Sequence, residues 1–204
     1  LWRRSIGPGC SSFAVSGNML FTQEQLGDNE TVSCYDITSG RPVWKHRDRA
    51  RFYDSHAGAG PRATPTIAGG RVYTMGATGI LNALDIKTGK VMWTRNAAAD
   101  GGVKNLTWGF TASPIVTGGV AVIALSGKLM AYDAVSGSPR WALPDGGKSY
   151  SSPHPLIING IEQIVHVSMS GAQGIDRSGK QLWKYDWNLE DRILQPARIT
   201  ESDL

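Results

Sequence analysis

The sequence predicts an all-β protein, a β-propeller of four-stranded antiparallel blades, and three observations carry that reading. Glycine supplies 25 of the 204 residues and tryptophan seven, which suits many short strands joined by tight turns. Long stretches with a helical apolar period are lacking. One motif also returns along the chain at intervals of 42 to 49 residues, and self-similarity at that period marks repeat architectures such as propellers.

The motif is clearest at its end, where an aspartate, a glycine and a tryptophan recur in order. The four sets are Asp36, Gly40 and Trp44; Asp85, Gly89 and Trp93; Asp133, Gly137 and Trp141; and Asp176, Gly179 and Trp183. Trp2 lies 42 residues before Trp44 and reads as the end of a further copy. The aspartate accepts N–H groups of its own turn, and the glycine supplies the positive φ that closes it. Each tryptophan then falls on an outermost strand, where a flat ring fills the wedge between blades. The residue two before each aspartate is small (Cys34, Ala83, Ala131, Gly174), so Cys34 reads as a buried core residue.

Taken in order, the first blade spans about 8–46 and opens with Ser12–Phe21, a strand, a Gly17-Asn18 turn and a second strand. The second spans 60–95, with Thr64–Tyr73 turning at Gly69-Gly70 and a third strand at Ile80–Leu84. The third spans 109–143, with Ser113–Val122 turning at Gly118-Gly119 and a third strand at Lys128–Tyr132. The fourth spans 149–185, opening at Ser152–Gly160, and its aspartate turn is one residue shorter. Residues 1–4 read as the tail of a preceding blade and 192–204 as the opening of a following one. Leu1 and Leu204 thus both fall inside blades, and the chain is expected to be a fragment of a longer propeller.

Other classes are disfavoured by composition. The best apolar run, Val116–Leu125, is short and broken by Gly118 and Gly119, so no transmembrane segment is expected. A net charge of +4 spread over the chain lacks the clustered basic face of a nucleic-acid partner. Cys10 and Cys34 form no metal or disulfide framework, and His46, His56, His154 and His166 have no ligand-like spacing. The Lys45–His56 linker is basic, but Asp48 and Asp54 are interleaved in it, which predicts a self-paired, solvated loop.

Tandem Ala-x-Asp-x-x-Thr/Ser-Gly-x-x-x-Trp resembles the tryptophan-docking motif of the pyrroloquinoline-quinone (PQQ)-like repeat. That family includes quinoprotein alcohol dehydrogenases and BamB-like repeat proteins of the bacterial envelope. The resemblance covers Trp2 to about Gln195 and implies an eight-bladed propeller in the periplasm or at the cell surface. It implies a non-catalytic binding or assembly scaffold, or alternatively part of a PQQ-dependent alcohol or sugar dehydrogenase using PQQ with calcium. The calcium ligands and the catalytic base of those enzymes do not map onto this sequence. No cofactor, catalytic residue or metal ligand is therefore assigned.

Ligand sites in propellers form where one blade's outer strand leads to the next blade's inner strand. On those connections the candidates are Arg62 and Thr64, Trp108, then Tyr150, Ser152 and His154, and finally Arg192 and Gln195. Brought together, they would form a polar, partly cationic rim for a protein partner or a small anionic or carbonyl-bearing ligand.

Overall fold

The computed structural model describes residues 1–187, 193–197 and 199. Among these the chain forms four four-stranded antiparallel sheets, one two-stranded hairpin and a five-residue helix. The first sheet is β1 (Ala14–Ser16), β2 (Met19–Leu26), β3 (Asn29–Asp36) and β4 (Pro42–Asp48), followed by the hairpin β5 (Tyr53–Asp54) and β6 (Gly58–Ala59). The second is β7 (Thr66–Ala68), β8 (Arg71–Met75), β9 (Ile80–Asp85) and β10 (Val91–Asn96), followed by α1 (Ala97–Gly101). The third is β11 (Ile115–Thr117), β12 (Val120–Leu125), β13 (Lys128–Asp133) and β14 (Pro139–Ala142). The fourth is β15 (His154–Ile158), β16 (Ile161–Ser168), β17 (Gly171–Ile175) and β18 (Gln181–Asp186). Strands adjacent in sequence pair in space in every sheet, the up-and-down order of a propeller blade. Among the described residues no helix is long and apolar enough to cross a membrane.

The chain divides into two compact units, Leu1–Ser113 and Pro114–Leu204. The first unit holds two sheets whose apolar faces meet: Phe21, Cys34 and Trp44 of the first sheet pack with Val72 and Leu84 of the second. Phe21 and Trp44 lie 5.8 Å apart, centroid to centroid. In the second unit Ile123, Leu125, Leu129, Tyr132, Ile164 and Ile175 are fully buried.

The recurring geometry of the turn explains the repeated motif. Asp36, Asp85, Asp133 and Asp176 each accept backbone N–H groups and a Ser or Thr hydroxyl from their own turns. Gly40, Gly89, Gly137 and Gly179 close these turns at φ of 67°, 70°, 74° and 86°. The small residue two before each aspartate stands directly opposite the tryptophan of its own sheet: Cys34 faces Trp44, Ala83 faces Trp93, Ala131 faces Trp141 and Gly174 faces Trp183. A larger side chain there would meet the indole. In all four sheets the register slips immediately beyond that pair, a bulge that re-aims the ring.

The rings reach forward onto the next repeat. Trp2 Nε1 donates to the Ile37 carbonyl at 2.8 Å, Trp44 Nε1 to Ile86 at 3.0 Å and, in the second unit, Trp141 Nε1 to Arg177 at 3.0 Å. Each acceptor is the residue after a turn aspartate, and each ring lies on that turn's glycine. A Cβ on Gly40, Gly89 or Gly179 would sit 2.4, 2.5 or 2.8 Å from the indole. Trp183 departs from this rule and donates instead to Gln163 Oε1 of its own sheet at 2.5 Å.

One buried group breaks the apolar pattern of the second unit. By register His166 occupies the position of Ile123 in the third sheet, is wholly inaccessible, and makes no well-formed hydrogen bond through either ring nitrogen among the described residues. Burial pushes its pKa down to about 4, offset only in part by the adjoining Ser151 main chain.

Two predictions follow from this geometry. Gly89→Ala is expected to cost more than Gly17→Ala, although both glycines have positive φ, because nothing lies within 4 Å of a Cβ at Gly17. Backbone strain alone costs about 1–3 kcal/mol, while Trp44→Ala is expected to cost about 3–5 kcal/mol; urea unfolding measures all three. The second concerns acid. The unfolded chain protonates His166 near 6.5 and the folded chain near 4, so stability is complete above pH 6.5 and falls by on the order of 3 kcal/mol towards pH 4. Asp36, Asp85 and Asp176 are held below the ordinary 3.8 by the Ser39, Thr88 and Ser178 hydroxyls and turn amides, so their share is lost only below that value. Melting temperatures between pH 8 and pH 2 should fall in two stages, and His166→Ile should remove the upper one alone.

Candidate functional site

The connections that lead into β7 and out of β10 bring several of the expected residues together in the first unit. Arg62 is 8% exposed, and its Nη2 donates to Asp54 Oδ2 at 2.5 Å and to the Gly58 carbonyl at 2.7 Å. Nε reaches the Trp108 carbonyl at 3.4 Å, Nη1 reaches Cys10 Sγ at 3.6 Å, and the guanidinium lies 5.2 Å from the Phe52 ring centroid. Asp54 also accepts the His56 and Ala57 N–H groups, each at 2.8 Å. These two amides, with the Arg62 charge and hydrogen bond, outweigh desolvation and lower its pKa. Arg62 thus fastens the β5–β6 hairpin to the entry of the second sheet and to the Trp108 connection.

Thr64 serves the backbone too. Its hydroxyl accepts the Ser12 N–H at 3.1 Å, and its own N–H donates to Ser113 Oγ at 2.9 Å. The Thr64 and Ser113 hydroxyls each take the N–H of the preceding entry, which gives the Ser/Thr-Pro pattern a mechanical reason. Trp108 is half-buried.

In the second unit Tyr150, Ser152 and His154 are half-buried along one strand entry, with His154 opposite Val165. The neighbouring Ser151 hydroxyl donates to the Leu194 carbonyl at 2.6 Å, which sets the exposed Gln195 beside this entry. Arg192 lies outside the described residues. The nearby serines are engaged with the backbone: Ser149 Oγ donates to Val167 O at 2.7 Å and Ser126 Oγ to Gly147 O at 3.2 Å. His166 is not bonded to any of these hydroxyls and so activates none of them as a nucleophile. A cleft of about 620 Å³ lies at the far end of the fourth sheet, against the β15–β16 turn and Asp176-Arg177. Its charged pair, Arg177 and Glu162, is solvent-exposed and 3.9 Å apart, the character of an outer surface.

Two buried carboxylates escape a sequence reading. Glu24, 1% exposed, accepts from Ser33 Oγ, the Gly7 N–H, Tyr35 Oη at 2.7 Å and Lys45 Nζ at 3.0 Å. Burial alone would raise its pKa, and these bonds together bring it below the usual value. Glu30 reaches the second sheet, accepting the Ala77 N–H at 2.8 Å and the Thr78 hydroxyl at 2.7 Å. Desolvation keeps its pKa raised in spite of them. Gly76 makes that approach possible, since a Cβ there would lie 2.2 Å from Glu30 Oε2. The one available signal was the run Thr22-Gln23-Glu24-Gln25, polar on both faces of a strand that is otherwise buried.

The self-pairing expected of the Lys45–His56 linker is found between His46 and Asp48 but not for its arginines. Asp48 accepts from Asn82 Nδ2 at 2.6 Å and lies 3.1 Å from His46 Nε2, while Asp54 pairs with Arg62. Neither acid is paired with the linker arginines.

The family model described as outer membrane protein assembly factor BamB matches residues 1–144 and 95–200. The chain belongs to that family. It is 28% identical over 122 residues to the BamB of Moranella endobia, covering 56% of this chain and 27% of that protein. It is 30% identical over 145 residues to the quinohemoprotein alcohol dehydrogenase ADH-IIG of Pseudomonas putida, covering 66% of this chain and 19% of that protein. Among solved structures, BamB of Moraxella catarrhalis superposes with a TM-score of 0.61 at 22% identity, over 85% of this chain and 50% of that one. The quinohemoprotein alcohol dehydrogenase of Comamonas testosteroni gives 0.62 at 16% identity, over 90% and 35%. Both likenesses show the β-propeller fold. The chain thus spans about a quarter of its Moranella BamB relative and half of the Moraxella BamB chain.

The Arg62–Asp54 pair generates one prediction. Asp54→Ala leaves a buried guanidinium without its counter-charge, so it should destabilise more than Asp54→Ala combined with Arg62→Met, which removes both. Chemical unfolding of the single and double variants tests the order, and limited proteolysis should cut first within 52–60.

Proposed function

We propose that this chain is part of a non-catalytic propeller scaffold of the bacterial envelope, a BamB-like module that binds a partner at its inter-blade connections. The observation that carries this reading is how the polar side chains at those connections are used. Arg62 ties down the β5–β6 hairpin, Thr64 holds the neighbouring strand entries, and Ser149 and Ser151 secure main-chain carbonyls. Such groups build a stiff face suited to docking, and a fold alone does not confer activity. The family match supports the same reading and, with it, a periplasmic or cell-surface location.

The similarity to ADH-IIG favours a second reading, part of a PQQ-dependent alcohol or sugar dehydrogenase. Its cofactor, PQQ with calcium, calls for carboxylate and amide oxygens converging on a cation. The donor set on these connections does not suit that pair. The carboxylates on the connections of the first unit are already engaged, Asp54 by Arg62 and two amides and Asp100 by Arg95. Among the described residues no three His, Cys, Asp or Glu side chains gather as ligands either.

The native full-length protein, incubated with PQQ and calcium, is expected to show no dye-linked oxidation of primary alcohols or aldoses above the cofactor-free control. Turnover dependent on PQQ would replace the scaffold reading with the dehydrogenase one.

A further inference from the structure

The outer strands of the four sheets treat their cations alike, with one exception. Lys45 on β4 pairs with Glu24 at 3.0 Å, Arg95 on β10 with Asp100 at 2.9 Å, Arg140 on β14 with Asp133 at 2.5 Å, and Lys184 on β18 with Asp186 at 2.5 Å. Arg47 on β4, with Arg49 and Arg51 just beyond it, has no carboxylate partner among the described residues. Arg51 donates only to the Gly27 carbonyl, at 2.9 Å.

Burial alternates strictly through this segment. Arg47, Arg49, Arg51 and Tyr53 are exposed, while Asp48, Ala50, Phe52 and Asp54 are half-buried or buried. The acids that would neutralise the arginines are the alternate residues, and they turn inward to Asn82 and Arg62. Charged residues on an edge strand commonly serve only to discourage pairing with other chains. The other three outer strands carry cations that are already paired, so that role does not account for three arginines without a carboxylate.

We propose that Arg47, Arg49 and Arg51 form a docking site for an extended acidic segment of a partner polypeptide. The exposed arginines run from β4 through a bend at Arg49, where the Ala50 N–H bonds the Asp48 carbonyl at 2.8 Å, and a peptide whose carboxylates recur at alternate residues, about 7 Å apart when extended, offers one to each of these long side chains. Arginine's fork binds a carboxylate through two parallel hydrogen bonds, which favours it over lysine in this task. A membrane surface is the weaker fit, since lipid-binding clusters gather about 4–8 cations and this row has three. The inference is independent of whether the protein is a scaffold or a dehydrogenase.

The test is fluorescence anisotropy of a labelled peptide alternating glutamate and serine, titrated with the full chain in low and in high salt. Wild type is expected to bind, more weakly as salt rises, and R47Q/R49Q/R51Q to bind about tenfold or more weakly. R140Q, which removes a cation already paired, should stay within about twofold of wild type. The charge-reversed R47E/R49E/R51E should instead take up a lysine–serine peptide, which shows that the segment remains folded. Equal binding by wild type and the glutamine variant overturns the proposal, as does no peptide binding by wild type, or binding only to phosphatidylglycerol vesicles.

Discussion

Everything in this structure leans on one contact: an indole laid on the glycine of the next repeat's turn, its N–H bonded to the carbonyl that follows the turn aspartate. The contact sets three conditions at once. The turn must offer a bare Cα, as at Gly40, Gly89 and Gly179, because a Cβ would lie inside the ring. The carbonyl must be held in place, which the aspartate does by binding the turn's amides. Opposite the tryptophan the strand needs a small residue, which is why Cys34 stands beneath Trp44. A repeat that uses this contact does not complete itself, since the indole N–H of Trp2, Trp44 or Trp141 is satisfied by its successor. That is the nearest-neighbour coupling that makes repeat proteins cooperative.

At the opposite end of the blades the coupling is polar. Ser12, Thr64 and Ser113 are linked hydroxyl to amide across successive entries, Glu30 binds the turn of the next sheet, and Arg62 gathers a hairpin, an entry and a third connection. Apart from the exposed Ser12, these side chains are buried or half-buried, so an unmade bond would be costly. The two ends thus divide the work, the outer one by ring packing and the other by hydrogen bonds that fix the paths of the connections.

How much of this was legible in the sequence depends on the range of the interaction. Turn aspartates, closing glycines and tryptophans recur at fixed local offsets, and strands, turns and blade architecture followed from them. The reach of Trp44 to Ile86 spans 42 residues, so the motif gave the role of the ring but not its acceptor. Arg62 looked like a ligand-facing cation because nothing nearby in sequence shows that it is buried against Asp54. The linker failed for the converse reason. Interleaved charges suggest mutual pairing, but exposed and inward residues alternate through this segment, so its acids meet Asn82, His46 and Arg62 rather than the neighbouring arginines. The hairpin β5–β6 and helix α1 were missed because each belongs to one connection and has no counterpart in the other repeats to give it a period.

That last point bears on where function resides in this fold. The tryptophan lock is a device for stacking sheets, and it builds the fold in which this chain resembles both BamB and a quinohemoprotein alcohol dehydrogenase. A feature common to both cannot decide between them. What distinguishes one such propeller from another must lie where the repeat is broken, in connections whose length and charge depart from their counterparts. Here the clearest departure is the segment from Lys45 to Arg62, which adds a hairpin, buries an ion pair to hold it and leaves three arginines facing solvent. Holding that hairpin with Arg62 and Asp54 fixes the arginine row as well, because Phe52 and Asp54, the residues that alternate with it, are anchored. A buried pair of this kind adds little net stability over apolar packing, and its more useful effect is to make one charged surface rigid on an otherwise periodic scaffold.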